Sequence, residues 1–247
     1  MAKFHKEVKM NFKKVITTTG LICLMSACTY VEGKMIRGNG EITNTELSLA
    51  SFDRIRCSGS ADITYHVGQD YKVIITTDSN LAEFVMATVD NNVLNIQTKN
   101  GSYSFTELVV NVYCPEISGV ILSGSGDFRA NETIMTKNFE LNIKGSGDVK
   151  GNYEVDNFIA NINGSGDFDL TGKAMELKLT ISGSGDFKGK DFVTNYAEIK
   201  INGSGDVDVH VTERLNVQIN GSGDVRYSGN PATVNKNIHG SGEVVKK

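Results

Sequence analysis

Apolar and polar residues alternate along most of the second half of this chain. Leu141, Ile143, Gly145, Gly147 and Val149 share one parity, and Asn142, Lys144, Ser146, Asp148 and Lys150 take the other. The apolar row recurs as Ala160, Ile162, Gly164, Gly166, Phe168 and as Leu177, Leu179, Ile181, Gly183, Gly185, Phe187. It recurs again as Ala197, Ile199, Ile201, Gly203, Gly205, Val207, Val209 and as Leu215, Val217, Ile219, Gly221, Gly223, Val225. A period of two predicts strands with one buried face. The paired glycines continue the inward row, while Ser and Asp continue the outward one.

The repeats are evenly spaced. Gly-Ser-Gly-Asp begins at Gly124, Gly145, Gly164, Gly183, Gly203 and Gly221, and Gly-Ser-Gly-Glu at Gly240. The steps are 21, 19, 19, 20, 18 and 19 residues. A degenerate copy, Gly59-Ser60-Ala61-Asp62, stands far upstream. Glycine at an inward position lets a strand bend sharply or lets two walls approach. One bend per lap, always at the same point, predicts a coil, and a lap this short leaves no room for strand–helix–strand units. The fold class is therefore all-β: a parallel β-solenoid whose coils stack one on another. Six steps at ~4.8 Å make a stack roughly 29 Å tall.

Residues 39–122 fit the same class less regularly and predict an N-terminal β cap, leaving 123–247 as the repeat coils of one solenoid domain, 39–247. Phe52–Cys57 and Ile63–Val67 alternate. Asn80–Glu83 has the pattern of a short helix start. Asp90-Asn91-Asn92 and Asn100-Gly101 predict hairpin turns between Val85–Val89, Val93–Thr98 and Ser104–Cys114.

The N-terminus reads as an address. Lys3, Lys6, Lys9, Lys13 and Lys14 precede the short apolar stretch Val15–Ala27, which ends Leu24-Met25-Ser26-Ala27-Cys28. The stretch is too short to span a bilayer as a helix. Small residues before a cysteine resemble a bacterial lipobox, so 1–27 is a signal peptide, Cys28 the lipidated N-terminus and 28–38 the linker behind the anchor. The expected location is the cell envelope, at the outer membrane, facing the periplasm or the surface. The whole chain carries a formal charge of −4. Without 1–27, which hold five lysines and one glutamate, 20 basic and 28 acidic residues leave −8. Such a body is repelled by anionic lipid, so the acyl chains must hold it to the membrane, and a nucleic-acid partner is not expected. Cys57 and Cys114 share the inward row of their strands. The compartment permits a disulfide between them, and two buried thiols are the alternative.

Gly38-Asn39-Gly40, Phe52-Asp53-Arg54-Ile55, Ser58-Gly59-Ser60-Ala61-Asp62, Pro115-Glu116-Ile117 and the repeated Gly-Ser-Gly-Asp together resemble the auto-transporter adhesin, head GIN domain, family. The likeness covers roughly residues 39–245. It implies a single-stranded right-handed β-helix and an envelope location. It brings neither a defined ligand nor catalytic residues.

The outward rows predict columns. One is Ser125, Ser146, Ser165, Ser184, Ser204, Ser222 and Ser241; the next is Asp127, Asp148, Asp167, Asp186, Asp206, Asp224 and Glu243. Neighbouring carboxylates one strand apart repel by roughly 1 kcal/mol in water and about 3–4 kcal/mol at an effective dielectric of 20. Calcium is one remedy, although calcium β-rolls repeat every nine residues. The next column offers another: Arg129, Lys150, Asp169, Lys188, Asp208 and Arg226. No cofactor is expected.

Catalysis lacks a unique coil. Ser204, Asp206, Asp208 and His210 share a row, but Ser204 and His210 stand about 20 Å apart on a strand. Neither His66 nor His239 has a partner at motif spacing, and the Gly-Ser-Gly runs lack the helix and lysine of a phosphate loop. A pocket that broke the regularity of the columns would be the sign of a catalytic site. Phe128, Phe168 and Phe187 are inward, whereas Tyr103, Tyr113, Tyr153, Tyr196 and Tyr227 are candidates for partial exposure and for a sugar platform. The expected function is a non-enzymatic binding or adhesion module for a glycan or protein partner. The alternatives are a scaffold and a carbohydrate-active enzyme. The scaffold would self-associate through the solenoid end at Val244–Lys247, where the two lysines could instead protect the edge.

Overall fold

In chain order the strands are β1 (Ile36–Arg37), β2 (Ile42–Ser48), β3 (Arg54–Gly59), β4 (Asp62–Val67), β5 (Lys72–Asp78), β6 (Val85–Asp90), β7 (Val93–Thr98), β8 (Tyr103–Ser104), β9 (Leu108–Cys114) and β10 (Gly119–Gly124). The coils continue with β11 (Phe128–Ala130), β12 (Ile134–Gly145), β13 (Val149–Gly164), β14 (Phe168–Gly183), β15 (Phe187–Gly203), β16 (Val207–Gly221), β17 (Val225–Ser228), β18 (Thr233–Gly240) and β19 (Val244–Lys246). The computed structural model describes residues 34–247. The export signal and Cys28 lie outside the described residues, and the anchor linker is described only from Lys34.

Every coil pairs in parallel with the next. Gly59, Gly124, Gly145, Gly164, Gly183, Gly203, Gly221 and Gly240 are successive register partners. The tetrapeptides therefore stand in file, and the fold is the parallel β-solenoid that the repeat predicts. The degenerate copy begins the file: β3 and β4 form a lap that β10 and β11 cover, although Asp62 and Asp127 are 65 residues apart.

The first glycine of each complete motif has φ between 138° and 150°, a region closed to side chains. A Cβ there would also strike the carbonyl oxygen of the glycine one coil below, as Gly145 would strike Gly124. The second glycine is excluded on contact alone, Gly147 against the Gly126 carbonyl. At the foot of the file nothing lies within 4 Å of a Cβ on Gly59, and the next inward residue is Ala61.

The inward row fills the core. Leu141, Ile143, Ala160, Ile162, Leu179, Ile181, Ile199, Ile201 and Ile219 are all essentially buried. At the far corner of the lap the filling is aromatic: Phe158 packs edge-on against Tyr153 at 5.1 Å and Phe192 at 5.3 Å, and lies 5.7 Å from Phe139. Tyr153 was expected near the surface but is 0% exposed. The ring lies over Gly151, where a Cβ would meet it at 3.0 Å, and its hydroxyl has no hydrogen-bond partner. Tyr227 is buried as well.

Below the first lap, β7 runs parallel to β3 and β9 parallel to β4. Antiparallel strands then close the end: β6 on β7, β5 on β9 and β2 on β5. Asn91 (φ 49°) and Asn92 (φ 62°) make the β6–β7 hairpin turn, as two-residue hairpins require. The hairpin expected at Asn100-Gly101 is absent, because β7 and β9 are two halves of one lap and pair with different strands. The predicted short helix is one 3₁₀ turn, Ala82–Phe84. Asn80 does not cap it; its amide donates to the Arg37 carbonyl at 2.8 Å.

Buried Asp78 ties the cap together. Its Oδ1 accepts from Gly40 N and its Oδ2 from Thr106 N, each at 2.8 Å. Burial pushes this carboxyl up, but the donors from Thr106, Gly40 and Glu107 together hold it below the usual range. Cys57 and Cys114 are free buried thiols rather than a bridge. Cys57 Sγ donates to Ala61 O and Cys114 Sγ to Glu116 O, both at 3.6 Å. Burial pushes each thiol up to about 12.

At the other end Lys236 occupies an inward position and donates to the Val244 carbonyl at 2.6 Å. Lys246 and Lys247 reach Asn230 and Asp208. An inward-pointing charge and edge lysines are how natural sheets discourage edge pairing.

Candidate functional site

The Asp column is a hydrogen-bonded ladder. Asp62 Oδ1 accepts the backbone N–H of Asp127 at 3.0 Å, and Asp127 Oδ1 accepts that of Asp148 at 2.8 Å. The pattern continues through Asp167, Asp186, Asp206, Asp224 and Glu243 at 2.8–3.0 Å. From Asp62 to Asp224 each carboxylate thus satisfies a turn amide of the next coil, which is why Asp stands there. The predicted cation column is in register beside it. Lys188 reaches Asp167 at 2.6 Å, Arg226 reaches Asp206 at 2.9 Å, and Lys150 reaches Asp169 at 2.6 Å. The first two contacts screen the stacked charge, and the third is made within the neighbouring column itself. Among the described residues no three His, Cys, Asp or Glu side chains converge as a metal site would.

The regularity breaks elsewhere in the lap. Five coils contribute Asn138, Asn157, Glu176, Tyr196 and Arg214 as successive register partners on an outward row. With Ile159, Lys178, Glu198 and Asn216 of the neighbouring row they line a groove of about 860 Å³. The register slips between Thr194 and Tyr196 on β15, where Thr212 and Glu213 of β16 face the single residue Asn195. A bulge of this kind re-aims side chains. Glu213 Oε1 accepts from Asn195 Nδ2 at 2.9 Å, and Oε2 accepts the Tyr196 hydroxyl. That bond holds the Glu213 carboxyl below its ordinary range, with Asn195 adding to it, and pushes the Tyr196 phenol up. The Arg214 guanidinium sits 5.9 Å from the ring centroid of Tyr196, and Tyr196 is 36% exposed.

The expectation that all coils are alike therefore fails at β15 and β16. The repeat steps of 20 residues from Gly183 to Gly203 and then 18 to Gly221 reflect chiefly the register shifts around Gly189–Val193 and do not mark the bulge at Tyr196. Of the candidate tyrosines, Tyr196 is the one in the groove. Tyr113 is sandwiched instead, stacked on His66 at 4.7 Å with Lys72 5.1 Å from its centroid. His210 faces Ser228, not Ser204, with Nδ1 and Oγ 2.9 Å apart. The acid of that row, Asp208, is engaged by Lys247. A Ser–His contact without an orienting acid is not the constellation of a nucleophilic hydrolase.

Solved structures share the architecture. A "putative adhesin" from Bacteroides fragilis is 21% identical and superposes with a TM-score of 0.83, over 86% of this chain and 100% of that one. A "putative lipid binding protein" from Parabacteroides distasonis is 28% identical with a TM-score of 0.74, over 87% and 100%. A "putative adhesin" from Parabacteroides merdae is 25% identical with a TM-score of 0.70, over 86% and 99%. No curated protein matches the chain. The family model described as "Putative auto-transporter adhesin, head GIN domain" matches residues 51–231, and the chain belongs to that family.

Proposed function

We propose that this protein is a non-catalytic binding module, held at the bacterial envelope by lipid on Cys28, that grips its partner in the groove centred on Tyr196. One observation carries the reading: beside the groove the register shifts between Thr194 and Tyr196, and the shift brings Glu213 onto the Tyr196 hydroxyl, so that an exposed aromatic is braced there. Ladders elsewhere spend their polar groups on one another. Family membership and the relatives described as adhesins support a binding role. The low carboxyl of Glu213 is the reverse of what a proton donor to a leaving group needs, which favours binding over hydrolysis.

The test uses beads carrying the purified protein on a panel of immobilised polysaccharides, mucins and matrix proteins. Attachment to at least one surface is expected. It should be lost with the double variant Tyr196→Ala/Arg214→Ala and kept with Lys150→Ala on the Asp-ladder side. Attachment of the double variant at the level of the unaltered protein, or no attachment to any surface, would refute the reading. Cells expressing Cys28→Ala should release the protein from the membrane fraction.

A further inference from the structure

We infer that the groove receives a neutral glycan chain laid across the coils, with one sugar ring against Tyr196; this rests on the binding-module reading above. The inference comes from the chemistry of the lining. The Tyr196 ring stands at an outward position, its hydroxyl tethered to Glu213 and one side covered by Arg214. Its orientation is set before any ligand arrives, and the ring, 36% exposed, lines the groove between Glu176 and Arg214. The C–H face of a pyranose is apolar and flat, so it matches a rigid aromatic face that loses little entropy on binding.

The hydroxyls of a sugar are donors and acceptors at once and suit side chains that are both. The groove supplies them. Asn157 Nδ2 donates to Asn138 Oδ1 at 2.8 Å, which leaves Asn157 Oδ1 as an acceptor and the Asn138 amide as a donor. Asn235 occupies Asn216 Oδ1 at 2.9 Å, which leaves the Asn216 amide to donate.

Charge selects among polyhydroxylated chains. Glu176 and Glu198 are balanced by Lys178 and Arg214 among the lining residues. A polyanion finds no basic surplus here and meets a chain of formal charge −4; a polycation finds no acidic surplus in the groove. Five coils at ~4.8 Å make the row about 19 Å long, the shape of an extended chain rather than of one small molecule.

The test measures binding of the purified protein to neutral polysaccharides (a mannan, a β-glucan, a galactan) and to acidic ones (alginate, heparin). Binding to a neutral polymer is expected, unchanged between low and high salt because no charge is exchanged. Tyr196→Ala should weaken it at least about tenfold, and Tyr196→Phe, which keeps the ring, by less than about threefold. A circular-dichroism melt of both variants checks that a loss of binding is not a loss of fold. The glycan proposal is overturned if only acidic polymers bind, with strong salt dependence. It is also overturned if bead attachment needs Tyr196 yet survives periodate oxidation of the target surface and is abolished by protease, which would leave a binding module for a protein. Attachment indifferent to Tyr196 and Arg214 would remove the binding-module reading itself.

Discussion

Asp167 sits mid-ladder, and cutting that rung separates two physical effects. Its Oδ1 accepts the Asp186 N–H at 2.8 Å, while its Oδ2 accepts from Lys188 at 2.6 Å. Asp167→Ala removes both and leaves the Asp186 amide without its acceptor. An orphaned donor costs about 1–3 kcal/mol, and the partial exposure of Asp186 puts the expectation in the lower half of that range. The ion pair adds little: the Lys188 and Asp167 side chains are 55% and 27% exposed, and such pairs contribute about 0.2–1 kcal/mol. The sum for Asp167→Ala is about 2 kcal/mol. Asp167→Asn keeps a carbonyl oxygen for the rung and loses only the pair, about 0.5 kcal/mol, the same as Lys188→Ala. Urea unfolding followed by circular dichroism reads these as midpoint shifts at constant slope. If Asp167→Asn is as damaging as Asp167→Ala, charge and not the rung is what the column provides, and the reasoning fails.

Other consequences follow from single positions. Gly164→Ala should cost about 3 kcal/mol or more, through strained backbone and a Cβ pressed on the Gly145 carbonyl, while exposed Ser165→Ala should stay within about 0.5 kcal/mol; urea midpoints compare the two. Tyr153→Phe should raise stability by about 1 kcal/mol, since it deletes a buried hydroxyl with no partner and keeps the ring; a lower melting temperature would mean that the hydroxyl is satisfied in solution. Asp78 has a folded-state pKa below its unfolded one, so its contribution is present above the ordinary carboxylate range near pH 4 and fades as pH falls through the lowered value. Asp78→Asn should therefore lower the melting temperature at pH 7 and flatten its fall on acidification, measured by melts at successive pH values.

How much was legible follows from what is local. Parity and period are properties of neighbouring residues, and they sufficed for the inward glycines, the outward Ser and Asp, the stacked coils and the cation column beside the acids. A glycine recurring on the buried side of a strand admits few meanings other than a bend under a close-packed wall. The cap was harder. Asn100-Gly101 has hairpin chemistry, yet β7 and β9 take partners from a lap laid down earlier, and turn residues do not say which strand is waiting. Tyr153 looked amphipathic, and only the stacking of the coils encloses its ring against Phe139 and Phe158. The groove was not legible, because the unequal repeat steps arise chiefly from the shifts around Gly189–Val193. Where the surplus residues bulge, and that they bring Glu213 onto Tyr196, depends on pairing between coils.

By itself, then, the sequence determined the architecture, because its alternation and its glycine steps allow one way of burying the apolar row. The tertiary structure alone decided what each outward side chain is for. An aspartate beside a turn is the same residue whether it binds metal, donates a proton or accepts an amide hydrogen from the coil above, and its role is set by the atom that stacking brings within 3 Å of it.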